Sequence, residues 1–237
     1  MKAAGIRKST VTAFCCLLIA ILAIVWAAAA SAPDGVEPQE DYTHVGNSFA
    51  RFSSTDVEVC DAAGNTLYSV PFEWEGRSLA ASGEAAVAWE PGGEMLFLGE
   101  GGYKRLQTDG TILGVYGSEC GAAAVISETE SGFSVSVFGA AGESFSMKAD
   151  EFWPLAAAVG PGGTTLAVLG ADEDGYLAGL YGMDAGGLLW ETRLDMPAYS
   201  LEWDGARVIA LRGFDGEVRI DASGGAAIAG GADGGEN

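Results

Sequence analysis

Histidine is almost missing from this chain: His44 is its one copy. A zinc site built on two histidines is thereby excluded, and a Ser-His-acid triad would have to draw on the very start of the folded part. No Cys-x-x-Cys occurs outside the apolar N-terminal run, and no glycine-rich phosphate loop ends in Lys and Ser or Thr. Bases are scarce, with 12 Lys and Arg against 33 Asp and Glu and a formal net charge of −21. Three of those bases, Lys2, Arg7 and Lys8, precede residue 10, so the rest of the chain sets nine bases against all 33 acids. Such a surface is soluble and repels nucleic acid and anionic lipid, which excludes nucleic acid as a partner.

Charge of either sign is absent from Val11 to Ala30, a run of twenty residues. At about 1.5 Å per residue a helix of that length reaches about 30 Å, the thickness of a bilayer core. Residues 10–30 are therefore expected to form a single transmembrane anchor. The cationic residues 1–9 would lie in the cytoplasm and everything later outside it. The small residues from Ala27 to Ala32 also offer Ala-x-Ala sites, so a cleaved signal sequence and a secreted domain form the alternative. Against cleavage, the run is longer than a usual signal core, and Pro33 would follow the scissile bond. Residues 31–41, rich in Pro and acids, read as a linker. Residues 42–229 read as one folded domain, and the glycine-rich 230–237 as a disordered tail.

Within 42–229 the dominant signal is a recurring turn. It occurs as Asp61-Ala62-Ala63-Gly64, Asp184-Ala185-Gly186-Gly187 and Asp221-Ala222-Ser223-Gly224, and more loosely at Gln107–Gly110 and Gly139–Gly142. Taken at Gly64, Gly110, Gly142, Gly187 and Gly224, the spacings are 46, 32, 45 and 37. A period near 40 with about four short strands per period marks a β-propeller. The strands themselves are legible. Phe133-Ser134-Val135-Ser136-Val137-Phe138 alternates with period two, and Pro-Gly-Gly turns stand at Pro91–Gly93 and Pro161–Gly163. The expected fold is all-β, a small propeller of four or five blades after one N-terminal transmembrane helix. Segments 43–72 and 212–230 lack an obvious four-strand set and are expected to complete one blade together and close the ring. An open stack, or a dimer hiding the free edge, is the alternative.

The stretch Asp184-Ala185-Gly186-Gly187-Leu188-Leu189-Trp190 resembles the repeat of quinoprotein-type (PQQ-like) propellers, and Asp61–Tyr68 is similar with Tyr68 in the Trp place. The whole layout resembles exported, membrane-anchored bacterial proteins of that repeat class. The resemblance implies a fold and no bound quinone, since the metal and cofactor residues of those dehydrogenases have no counterpart here.

Few residues point to chemistry. Asp172-Glu173-Asp174-Gly175 is the best metal candidate: Asp172 and Asp174 offer hard oxygens in one turn, as Ca²⁺ accepts, without the remaining EF-hand pattern. The competing reading is a solvated hairpin tip. No other cofactor is expected. Cys60 and Cys120 are a candidate disulfide between neighbouring repeats. Trp74, Trp89, Trp153, Trp190 and Trp203 are expected to pack between blades, the alternative being a stacking platform for a ligand. The expected function is a non-enzymatic, membrane-anchored binding or scaffolding module. Its partner would be a protein or a cell-envelope ligand. An exported enzyme acting on envelope carbohydrate through two carboxylates, or a structural adhesion module, are the alternatives.

Overall fold

The computed structural model describes residues 42–53, 56–71, 78–82, 85–184, 186–225 and 227–228. The expected anchor (10–30), linker (31–41), tail (230–237) and Trp74 lie outside the described residues. The chain divides into units Met1–Glu40 and Asp41–Asn237, and all the described residues lie in the second. Among the described residues there is no helix, so none long and apolar enough to cross a membrane.

Five antiparallel sheets of four strands follow one another along the chain. Sheet 1 holds β1 (Tyr42–Val45), β2 (Ser48–Phe52), β3 (Asp56–Cys60) and β4 (Thr66–Pro71). Sheet 2 holds β5 (Ser78–Ser82), β6 (Ala85–Trp89), β7 (Glu94–Gly99) and β8 (Gly102–Gln107). Sheet 3 holds β9 (Thr111–Gly117), β10 (Ala123–Thr129), β11 (Gly132–Gly139) and β12 (Gly142–Ala149). Sheet 4 holds β13 (Trp153–Val159), β14 (Thr165–Asp172), β15 (Gly175–Gly182) and β16 (Gly187–Leu194). Sheet 5 holds β17 (Ser200–Asp204), β18 (Val208–Gly213), β19 (Gly216–Asp221) and β20 (Ala227–Ile228). Each sheet is an up-and-down meander, and successive sheets meet chiefly through their first strands.

The sequence pattern explains the layering. Successive side chains of a strand point to opposite faces. In β14, Leu166 and Val168 enter the layer against sheet 3, whereas Ala167 and Leu169 enter the layer against sheet 5. In β10, Ala124 and Ile126 face sheet 4, and Ala123 and Val125 face sheet 2. Strands buried on both faces need no polar alternation, hence the continuous apolar runs at Ala85–Val87 and Leu166–Leu169. Each fully buried Leu or Ile in these layers stabilises the fold by about 1.5–3 kcal/mol.

Four apolar layers result, one between each pair of successive sheets. No fifth layer joins sheet 5 to sheet 1 among the described residues. The face of sheet 5 turned away from sheet 4 is ionic instead: Arg212 binds Glu202 and Glu217, and Arg219 binds Glu217 and Asp204. The outer face of sheet 1 carries the Arg51–Glu58 pair.

Three expectations are corrected. Residues 42–71 pair among themselves into a complete sheet, so they are not half of a blade shared with the C-terminal segment. The turn at Gln107–Gly110 joins sheets 2 and 3 and is not one of the hairpins between third and fourth strands. Those five hairpins place glycine at positive φ at Gly64, Gly102, Gly142, Gly186 and Gly225, spaced 38, 40, 44 and 39. This period is more regular than the one read from the motif. Finally, Cys60 and Cys120 are free thiols, because sheet 2 stands between the sheets that carry them.

Candidate functional site

The turns of sheets 3 to 5 fall at two ends of the sheets. One end is built from hairpins between third and fourth, and first and second, strands. The other carries the hairpins between second and third strands together with the connections from one sheet to the next. At this second end the segments 128–133, 149–153, 172–175, 195–200 and 213–216 come together by topology. They hold Glu128, Glu130, Asp150, Glu151, Asp172, Glu173, Asp174, Asp195 and Asp215, and no base. They also hold Phe133, Phe152, Trp153, Tyr199 and Phe214. The turns of the opposite end of the same sheets, at 117–122, 139–142, 159–165, 183–187, 204–208 and 221–226, contain no aromatic residue.

Three of these rings are exposed although their backbones are fixed. Phe214 is 88 % exposed, Trp153 55 % and Tyr199 54 %. The Tyr199 N–H donates to the Arg212 carbonyl at 2.9 Å, and Ala198 beside it is buried. The connection Met196-Pro197 lies so close over β18 that a Cβ on Gly213 would strike the Pro197 carbonyl. The Tyr199 and Phe214 rings then meet with centroids 5.1 Å apart at 51°. Trp153 is held in the ladder opposite Ala171, and Gly170 leaves the space that the half-buried Phe152 ring fills. Between sheets 3 and 4 these side chains border a cleft of about 580 Å³, lined by Phe133, Asp150, Glu151, Phe152, Trp153, Asp172 and Glu173. Trp153 was expected between blades and stands in solvent instead. Trp89, Trp190 and Trp203 pack against the apolar layers, as expected.

The residues singled out for metal take up definite positions. The Asp172 Oδ1 accepts from Arg193 Nη1 at 2.6 Å and from the Asp174 N–H at 2.9 Å. The Arg193 hydrogen bond holds the Asp172 carboxyl below its usual range and raises the guanidinium in turn. Among the described residues no group of three or more His, Cys, Asp and Glu side chains is placed to hold a metal. His44 is exposed and lies against Phe49 with ring centroids 5.0 Å apart. Asp61, Asp172, Glu217 and Asp221 are all held low by hydrogen bonds, the direction opposite to that of a glycosidase general acid.

A second cleft, of about 380 Å³, lies at the opposite end between Tyr116, Glu119, Pro161, Glu202 and Trp203. Its polar ring atoms are already engaged: the Tyr116 hydroxyl donates to the Leu155 carbonyl at 2.8 Å, and Trp203 Nε1 to the Ala158 carbonyl at 3.1 Å. It has no exposed ring to offer.

No protein-family model matches this chain. No curated protein matches it either. Solved structures do. The WD40 domain of Neurospora crassa Pan2 superposes with a TM-score of 0.54 at 9 % identity, over 77 % of this chain and 61 % of that one. Kluyvelomyces marxianus Hsv2 gives 0.57 at 16 % identity, over 76 % and 58 %. A chain of the Mitotic Checkpoint Complex gives 0.57 at 14 % identity, over 80 % and 63 %. At such identity the likeness is one of fold. The fold is of the β-propeller type. The described sheets span about three-fifths of each of these neighbours.

Proposed function

We propose that this chain is a non-enzymatic protein-binding or scaffolding module, anchored in the cell membrane by residues 10–30 and displaying its propeller-type domain outside the cytoplasm. The observation that carries the binding role is the exposed ring set of Trp153, Tyr199 and Phe214 on a rigid sheet end. Exposed aromatics grouped on one surface are what interaction sites bury. The propeller-type neighbours support it, since one of them is a member of a multiprotein complex. The quinoprotein-type repeat is favoured by one finding. Both Trp190 and Tyr68 follow an Asp-x-x-Gly hairpin and dock on the next sheet's hairpin between third and fourth strands, at Ala222 and at Gly99 and Gly102.

The test is site-specific photo-crosslinking in native membranes. A photoreactive residue at Phe214 is expected to give discrete protein adducts that are missing when it replaces Ala140 at the opposite end. Identical adducts from both positions, or none from Phe214, would remove the binding role from this end.

A further inference from the structure

Resting on the binding role just proposed, we infer that the aromatic end of sheets 3 to 5 receives a cationic segment of a protein partner, one in which Arg or Lys alternates with apolar residues. Two features of this end converge on that chemistry. The exposed rings of Trp153 and Phe214 offer π faces and apolar area at fixed positions. The five segments around them carry nine carboxylates and no base, whereas the opposite end of the same sheets carries Glu119, Asp184, Asp204 and Asp221 with Arg207. Eight of the nine carboxylates are exposed, and the ninth, Asp172, is bound to Arg193 at the rim.

A guanidinium over an aromatic face with carboxylates at its edge satisfies stacking, cation–π attraction and ion pairing together. The apolar residues between the cations would fill the cleft of about 580 Å³ beside Phe152 and Trp153. The same charge rules out the other occupants. A second copy would bring nine more carboxylates against these, and nucleic acid or anionic lipid would bring phosphates. An uncharged apolar partner would leave the ring of carboxylates without a use.

The probe is a short fluorescein-labelled peptide alternating Arg and Leu, titrated by anisotropy against the full chain in non-ionic detergent, with micelles alone as the blank. Two further peptides replace Arg by Glu, or Leu by Ser. The Arg–Leu peptide is expected to bind saturably and to weaken as salt rises. Trp153→Ala with Phe214→Ala should weaken it by about ten-fold or more, as truncation of aromatic anchors does. Asp150→Asn with Glu151→Gln and Asp215→Asn should weaken it too. Both sets lie at the surface, and unchanged thermal melting would show that the fold persists. Absence of saturable binding overturns the inference. If the Arg–Ser peptide binds as well and the aromatic variant behaves as wild type, the attraction is that of an acidic chain at large. The site and its cationic partner then both fall. If the Glu–Leu peptide binds equally and loses affinity in the aromatic variant, the docking end stands and the cationic partner falls.

Discussion

Single side chains decide how neighbouring sheets are joined. The Tyr68 hydroxyl donates to the Gly99 carbonyl at 2.6 Å, with the Gly102 carbonyl also within reach of the same proton at 2.9 Å, bridging sheet 1 to sheet 2. Burial raises its pKa from 10.0 to about 12. A phenol raised in the fold adds stability that is complete below pH 10 and fades as pH climbs through about 12. Ultraviolet titration is therefore expected to show a tyrosine ionising about two units late in the folded protein and with the rest in urea. Tyr68→Phe should lower stability by about 1 kcal/mol. Trp190 bridges sheets 4 and 5 in the same manner, its Nε1 donating to the Ala222 carbonyl at 2.8 Å. Trp190→Ala should cost about 3 kcal/mol, the lower end for a large aromatic because the ring is half-buried. Phe214→Ala should stay within about 0.5 kcal/mol. Urea unfolding of both variants separates an aromatic that holds the fold from one that serves the surface. At Asp172 the expected result concerns calcium. With its Oδ1 taken by Arg193 and the Asp174 N–H, millimolar Ca²⁺ should leave the melting temperature unchanged, whereas a tight site would raise it. An upward shift abolished by Asp172→Asn would restore the calcium reading.

Hairpins carry the period of the molecule. Gly142 sits at φ 124, a conformation that is essentially glycine's alone. Gly139, at the other side of the same turn, has no such φ and open space where a Cβ would stand. Gly142→Ala should cost about 1–3 kcal/mol, and Gly139→Ala should be close to neutral. Equal losses at both positions would show that turn conformation is not what glycine supplies there. The pair also explains why the motif misled at Gln107–Gly110. Asp and Gly mark any tight turn. The Gly110 turn has its own reason: a Cβ on it would enter the Glu128 carbonyl, where two sheets meet.

Along the chain, the two ends of the array differ from its middle. Sheets 2 to 4 are covered on both faces, whereas sheets 1 and 5 each bury one face and turn ion pairs outward. Surface pairs of this kind add little to stability. Amide exchange should accordingly be slowest in β6, β7, β10 and β14 and fastest in β1 and β19. Protection of β1 and β19 equal to that of β14 would mean that sheets 1 and 5 are packed together.

The sequence by itself determined the all-β character, the strands of the middle sheets and the repeat near 40, because strand alternation and turn glycines are local properties. It also singled out Trp190 and Tyr68, whose places after their hairpins follow from that repeat. It left sheet 1 hidden, since β1 to β3 are only four or five residues long and the hairpin between β2 and β3 lacks glycine. The candidate site was legible only as scattered acids and Trp153. Nine carboxylates and five rings from separate segments share one end because each sheet reverses its chain three times, and that addition of distant turns is made by the tertiary structure alone.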